Sequence, residues 1–368
     1  MLEIVNLIVN CLKNRRYFLK LSNPNTDYMK HIVLPRDTII GKNVLDKIIG
    51  MAAPYESILV VTGKTTAKIA GNKVVELLDC DYSIVENGAT NEEVEKLRAK
   101  IIENDITLSV AVGGGTIIDV TKFAAYRTGT NWISVPTTCS NDGICSPVAS
   151  IKSNGTSLST KACAPIALLA DMSVIAKAPY EFIRSGVGDT IAKYSAVRDW
   201  KLGHIIKGEY YGDYASSLSM MVAEVVLNNV VDIRERTDIG IGSLLEALIS
   251  SGAAMAIAGS SRPASGSEHK FSHALDMLGG SKGLHGDQCG IGCIIMSYLQ
   301  GEDWKRIRNS LKAANCPVTA KEIGIDEALA MEALLKAKEV RPDRYTILEH
   351  IRIDKEIAEN ALHNTEVV

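Results

Sequence analysis

The sequence lacks most of the features that would mark a function class outright. Forty basic residues stand against forty-three acidic ones, a formal charge of -3, so no nucleic acid or strongly charged partner is indicated. There is no CxxC pair. The eight cysteines, Cys11, Cys80, Cys139, Cys145, Cys163, Cys289, Cys293 and Cys316, are scattered through 368 residues, the usage of reduced, buried thiols in a cytoplasmic enzyme. Cys289 and Cys293 lie close to His285 in sequence and could be thiolate ligands, although packing a helix with small thiols is the expected role. No repeat, low-complexity tract or long linker occurs, and no GxGxxG, which disfavours an ordinary Rossmann dehydrogenase.

The apolar stretch Met1 to Leu12 is too short to span a bilayer, and Lys13, Arg15 and Arg16 follow it rather than precede it. Neither a signal peptide nor stable membrane insertion is expected. Residues 1–30 are read as an extension: an added helix, a weak membrane-surface contact, or an over-long start with Met29 as the alternative.

Length suggests about two domains, and an apolar fraction of 46% is enough for a substantial core. From 31 to 178, β-rich runs (Ser57 to Thr62, Tyr82 to Val85, Leu108 to Val112, Trp132 to Val135) alternate with helical stretches such as Asn91 to Asn104, opened by a capping pattern at Thr90. This predicts an α/β domain with a mostly parallel sheet and ligands at the strand ends. From 179 to 368, Ala, Leu, Met and Glu recur at helical spacing, as in Ala215 to Val231 and Leu244 to Ala258, and predict an all-helical domain.

Histidine is scarce, seven in all, yet His269, His273 and His285 fall within seventeen residues. An i, i+4 pair shares one helix face; with a third imidazole and a carboxylate it makes a site that suits zinc. The candidate carboxylate is Asp189, in Ser185-Gly186-Val187-Gly188-Asp189-Thr190. Two glycines there are expected to break the chain, setting the acid at a helix start. Taken singly, each histidine is better explained as core or surface, and Asp189 as an N-cap. The four together point to metal.

Strand Leu108 to Val112 runs into Gly113-Gly114-Gly115-Thr116-Ile117-Ile118-Asp119 and then a helix. Glycines there allow a pyrophosphate to approach the backbone at a helix N-terminus. The hydroxyl-rich Val135-Pro136-Thr137-Thr138-Cys139-Ser140-Asn141-Asp142-Gly143 follows the next strand.

Taken in order, GGGTIID, SVPTTCSNDGICSP, SGVGDTIAKY, AGSSRPASGSEHKFSHALDM and LHGDQCGIG resemble the archaeal sn-glycerol-1-phosphate dehydrogenases. These belong to the wider group of glycerol dehydrogenase, iron-type alcohol dehydrogenases and dehydroquinate synthase. The resemblance covers roughly residues 31 to 365. It implies a dehydroquinate synthase-like fold, with metal ligands at Asp189, His269 and His285 and substrate contacts at His273 and Asp142. It also implies NAD(P)H binding along Gly113, Gly114, Gly115, Thr116, Ile117, Ile118 and Asp119, along Thr137, Thr138, Cys139 and Ser140, and at Ser146. One zinc ion per subunit and a homo-oligomer complete the implication.

Two departures discriminate within the group. Iron-type alcohol dehydrogenases carry a histidine ligand four residues after the aspartate, where this chain has Lys193; dehydroquinate synthases use a glutamate where it has Asp189. The reaction implied is reduction of dihydroxyacetone phosphate to sn-glycerol 1-phosphate for archaeal ether lipids, with Asp189, His273 and Asp142 as the catalytic set. A phosphate needs cationic or N–H donors, and Arg262 and Lys161 are the candidates. The alternatives are a dehydrogenase of an unphosphorylated polyol and a non-catalytic nucleotide-binding module. The latter's structural metal would call for four protein ligands, and only three can be named. Lys64, in Thr62-Gly63-Lys64-Thr65-Thr66 near the adenosine end, does not settle the choice between NADH and NADPH.

Overall fold

Six parallel strands carry the first half of the chain, in the order β1-β8-β5-β4-β2-β3: β1 Asp37–Gly41, β2 Ile58–Gly63, β3 Asp81–Val85, β4 Leu108–Gly113, β5 Asn131–Pro136 and β8 Ala167–Asp171. A hairpin of β6 Val148–Ser153 and β7 Thr156–Lys161 stands apart from this sheet. The computed structural model describes residues 30–153, 156–279 and 283–368, and the fold is that of the compact unit Val33–Val368. Apart from Lys30, the extension read at 1–30 lies outside the described residues.

β4 is buried along its whole length, as expected of a central strand covered on both faces. In register, Thr62 of β2 faces Val112 of β4, and Val112 faces Val135 of β5. From β2 the chain goes one way to β3 and the other way to β4, so the order reverses between β2 and β4. A parallel sheet opens a ligand crevice at the carboxyl ends beside such a reversal, where Gly113 to Gly115 begin.

The helices that shape the site are α1 Asn91–Glu103, α2 Gly115–Thr128, α3 Tyr180–Ile191, α4 Lys193–Lys207, α5 Asp213–Arg234, α6 Asp238–Ala258, α7 Ser267–Leu278 and α8 His285–Leu299. Thr90 Oγ1 caps α1 by accepting from the Glu93 N–H at 3.3 Å, as its capping pattern predicts. Among the described residues no strand follows Asp171. Helices α5 and α6 are long and apolar enough to cross a membrane; Val222, Val226, Val230, Leu244 and Leu248 on them belong to the main core. That core also takes Ala111 and Ile118 from the sheet side and Ile183, Phe271 and Ile294 from the helices.

One local expectation is overturned. Gly186 and Gly188 do not break the chain; both lie inside α3, and Asp189 sits near its carboxyl end rather than at a helix start. The glycines serve close approach. A Cβ on Gly186 would stand 1.9 Å from the Cys139 carbonyl oxygen, and one on Gly188 2.1 Å from that of Gly286. Glycine costs a helix interior about 1 kcal/mol relative to alanine, and here that cost lets α3 lie against α8 and the loop after β5.

Candidate active site

Asp189, on α3, is buried with both carboxylate oxygens engaged. Oδ1 accepts from Lys193 Nζ at 2.7 Å and lies 3.5 Å from His269 Nε2; Oδ2 accepts from the Asp142 N–H at 3.0 Å. Lys193, one turn further on and fully buried, also reaches Asp142 Oδ2 at 2.9 Å. Burial opposes the charge on each group. For Asp189 the Lys193 ammonium and His269 outweigh it and hold the carboxyl well below its ordinary range, and the two aspartates hold the Lys193 ammonium well above its own.

The two histidines on either side of the α7–α8 connection are each aimed by an outer partner. His269 Nδ1 meets Glu268 Oε1 at 2.8 Å, and Glu268 is itself held by Ser195 Oγ and the Gly266 N–H. His285 Nδ1 meets Ser272 Oγ at 3.1 Å, and Ser272 donates to Gln288 Oε1 at 2.6 Å. Anchoring Nδ1 in this way leaves Nε2 for a metal, the arrangement found behind metal-bound imidazoles. The rings lie 5.0 Å apart at their centroids.

Cys289, one turn into α8 from His285, joins them. The ligand atoms of His269, His285 and Cys289 all fall within 4.8 Å of one another. Despite burial, which raises a thiol, the two imidazoles bring the Cys289 thiol down to about 7. Cys293 behaves as a packing residue: its Sγ donates to the Ile191 carbonyl and burial pushes it up to about 11.

His273 belongs to the same face but not to that group. Its ring centroid is 5.9 Å from that of His285, and its Nδ1 is buried without a protein partner. Burial, reinforced by His285 and His269, brings it down to about 3, so it is a neutral imidazole at neutral pH.

All of this opens on a cavity of about 200 Å³ lined by Asp142, Asp189, His269, His273 and His285 on one side and by Asn141, Gly143 and Ser146 from the loop after β5 on another. At the sheet end, α2 starts at Gly115 with Gly114 as its cap residue. The Gly114 carbonyl takes the Ile117 and Ile118 N–H groups. Gly115 and Thr116, half-buried and exposed, have no preceding turn to bond to and present a helix mouth suited to an anionic group. The imidazole nitrogens and the carboxylate fit a divalent ion such as zinc, and the glycine turn fits a dinucleotide.

An iron-containing alcohol dehydrogenase family model matches residues 39–179. Over its full length, the glycerol-1-phosphate dehydrogenase (NAD(P)+) of Pyrococcus furiosus is 48% identical to this chain, across 92% of the latter. That of Methanosarcina mazei is 44% identical, across 88% of this chain and 93% of its own. The chain belongs to the glycerol-1-phosphate dehydrogenase family. Among solved structures, a probable glycerol dehydrogenase from Sinorhizobium meliloti superposes with a TM-score of 0.75 at 19% identity, covering 92% of this chain and 98% of that one. An iron-containing alcohol dehydrogenase from Thermococcus thioreducens gives 0.70 at 16%, covering 91% and 100%. These two share the fold, a dehydroquinate synthase-like architecture; the glycerol-1-phosphate dehydrogenase relatives make the chain an NAD(P)-dependent oxidoreductase.

Within this family frame, the structure sorts the residues named from sequence. Asp142, Asp189, His269, His273, His285, Asp119 and Ser146 line one cavity. The Asp119 carboxylate is engaged by Lys122 and the Ser150 N–H. Ile117, Ile118 and Cys139 turn their side chains into the core, leaving only their backbone to face a cofactor. Thr137 is buried with its hydroxyl unpartnered, while Thr138 and Ser140 are half-buried. Arg262 is directed elsewhere: its guanidinium pairs with Glu209 and donates to the Tyr345 carbonyl, and it does not line the cavity. Lys161 is exposed at the end of β7 and does not line it either. Lys64 is paired with Glu86 at the surface.

Glu268, adjacent to His269, escaped the sequence reading. Lys193 was noted only as standing where iron-type alcohol dehydrogenases carry a histidine, and Cys289 was weighed as a ligand but expected to pack. The spacing signal was present for Lys193, i+4 from Asp189, and Cys289, i+4 from His285, but long-range packing decides which side of a helix is wet.

Proposed function

We propose that the protein reduces dihydroxyacetone phosphate with NAD(P)H and a proton to sn-glycerol 1-phosphate, the backbone precursor of ether phospholipids. The observation that carries the proposal is that the metal-donor face and the loop beside the glycine turn line one common cavity. The names of the relatives supply the substrate. In this reading Asp189, His269 and His285 hold a zinc ion, one per subunit of a cytoplasmic homo-oligomer. When bound, the metal supplies a Lewis acid for the ketone and the nicotinamide supplies the hydride.

The remaining work falls to the chain's own groups. Lys193 offsets the charge of Asp189 and Asp142, so two carboxylates coexist at the cavity without repelling a phosphorylated substrate. The unpartnered Nδ1 of His273 is available to a substrate oxygen. No lysine or arginine appears among the described lining residues, but Ser261 and Ser265 do. Arg344 stands behind both, donating to Ser261 Oγ at 2.9 Å and to the Ser265 carbonyl. Burial and the neighbouring arginines bring Arg344 down to about 9. The phosphate is therefore assigned to the Ser261 and Ser265 wall, in place of Arg262 or Lys161.

The purified protein should oxidise reduced cofactor with dihydroxyacetone phosphate, act far more slowly on dihydroxyacetone, and stop when metal is chelated. An sn-glycerol-3-phosphate-specific enzyme should leave the product untouched. Its full consumption, or failure to reduce any ketone phosphate, would reject the assignment.

A further inference from the structure

We infer that Lys122, inside α2, is a positioning residue for hydride transfer: it ties the loop after β5, which carries Asp142, to the helix that begins at the glycine turn. The inference rests on the reduction proposed above and concerns how its two reactants are held at one distance.

Lys122 is fully buried. Its Nζ donates to Asp119 Oδ1 at 3.1 Å, to the Gly143 carbonyl at 2.8 Å and to the Val148 carbonyl at 2.7 Å. Three acceptors thus meet the three N–H donors of an ammonium. Three residues earlier on α2, Asp119 uses its other oxygen, Oδ2, to accept from the Ser150 N–H at 3.2 Å. Backbone at 143, 148 and 150 is therefore tied to a single turn of α2.

The same loop is held from the opposite side. The Asp142 N–H donates to Asp189 Oδ2 at 3.0 Å, and Asp142 Oδ2 takes Lys193 Nζ at 2.9 Å and Ser251 Oγ at 2.8 Å. The Asp142 carbonyl accepts from the N–H groups of Cys145 and Ser146, so the turn between the two sets of anchors closes on itself. One side of that turn belongs to the helix of the glycine turn, the other to the helices that carry Asp189 and Lys193.

Packing alone does not call for a lysine here. An apolar side chain of similar volume would fill the space, often with no loss of stability relative to a buried ion pair. It could not hold two carbonyls twenty-one and twenty-six positions away. Hydride transfer is sensitive to such a tie, because a misplacement of about 1 Å can cost about 100-fold in rate. The dinucleotide is read to lie at the mouth of α2 and the substrate beside Asp142, so the bonds of Lys122 set their separation.

The test uses the full-length, metal-loaded protein with Lys122→Met and, as a polar variant that keeps an N–H donor but is too short to reach all three acceptors, Lys122→Gln. Turnover is counted per NAD(P)H-binding site, titrated by cofactor fluorescence, so that unfolded protein does not enter. The expected result is a kcat per site lower by about 100-fold with the cofactor Kd unchanged. Thr121→Val, which removes the buried bond from Thr121 Oγ1 to the Ile117 carbonyl on the same helix, controls for lost stability and should keep the parent kcat per site. In metal-free and cofactor-free protein, amide hydrogen exchange across 143–150 should be faster in the Lys122 variants than in the parent. A kcat per site equal to that of the parent, an equal drop in Thr121→Val, or unchanged exchange across 143–150 overturns the inference. A folded Lys122→Gln protein that no longer binds NAD(P)H also overturns it, because the loop and not the cofactor site is what Lys122 holds. Inactivity of the parent rejects the reaction instead, and leaves the exchange comparison to decide the tie.

Discussion

Lys193 and Asp189 form a buried ion pair at 2.7 Å, one helical turn apart, and no part of the lysine side chain reaches solvent. The same ammonium is 2.9 Å from Asp142. One cation thus serves two carboxylates lining the cavity.

Removing that cation leaves half-buried Asp142 without its lysine and buried Asp189 with His269 as its remaining positive partner. Lys193→Met should lower the unfolding free energy of the metal-stripped protein by about 3–5 kcal/mol, read from denaturant titrations. Adding Asp142→Asn to it should recover part of the loss. A single variant within about 1 kcal/mol of the parent would show that the ion pair contributes little to folding.

The contact between α3 and α8 should be intolerant of a single methyl group. Gly188→Ala puts a Cβ on the Gly286 carbonyl, and overpacking costs about 1–3 kcal/mol or more. Because the shift would separate Asp189 from His285, metal content should fall as well. Gly50→Ala, where nothing lies within 4 Å of the added carbon, should instead be neutral or stabilising by up to about 1 kcal/mol. Thermal melts and metal analysis of the pair decide; equal behaviour would refute the close-packing account.

His273 and His269 share a helix face but should separate by assay. His273→Ala is expected to keep its metal while kcat/KM drops about 100-fold or more, the scale of a misplaced substrate. His269→Ala should lose both metal and turnover. Equal metal loss in the two would put His273 among the ligands.

Acid should act through His273. Its imidazole titrates at about 3 in the folded protein, whereas an unfolded histidine titrates near ~6.5. Between those values the unfolded chain takes up a proton that the native state refuses. The native state therefore loses stability as pH falls through this window, by up to about 1.4 kcal/mol per pH unit from this group. In metal-stripped protein, His273→Asn should gain relative to the parent as pH is lowered from 7 to 5. A stability difference that does not change over that range would remove His273 as the cause.

Where the signal is local, it was legible in the chain. The β-rich runs at 57–62, 82–85, 108–112 and 132–135 each fall within one residue of an observed strand boundary, and Thr90 caps α1. Alternation and capping depend on neighbours in sequence, so they survive without knowledge of the fold. Strands β1 and β8 and the β6–β7 hairpin gave no comparable pattern. Their pairing is with distant segments: Thr38 lies opposite Leu168, and only the assembled sheet makes such short runs strands.

By itself the sequence determined the family, the α/β-then-helical order of the chain and the scarce residues worth attention, because motifs and periodicity are written in single positions and short spacings. Tertiary structure decided what those residues do. Asp189 proved to sit inside a helix because Gly186 and Gly188 had to meet Cys139 and Gly286, backbones roughly fifty and one hundred positions away. Arg262 turned to Glu209 rather than to the cavity. Cys289, one of eight cysteines, became a neighbour of two imidazoles because α7 and α8 pack side by side. Burial, and the counter-charge that a buried group must find, are properties of that packing, and no local spacing encodes them.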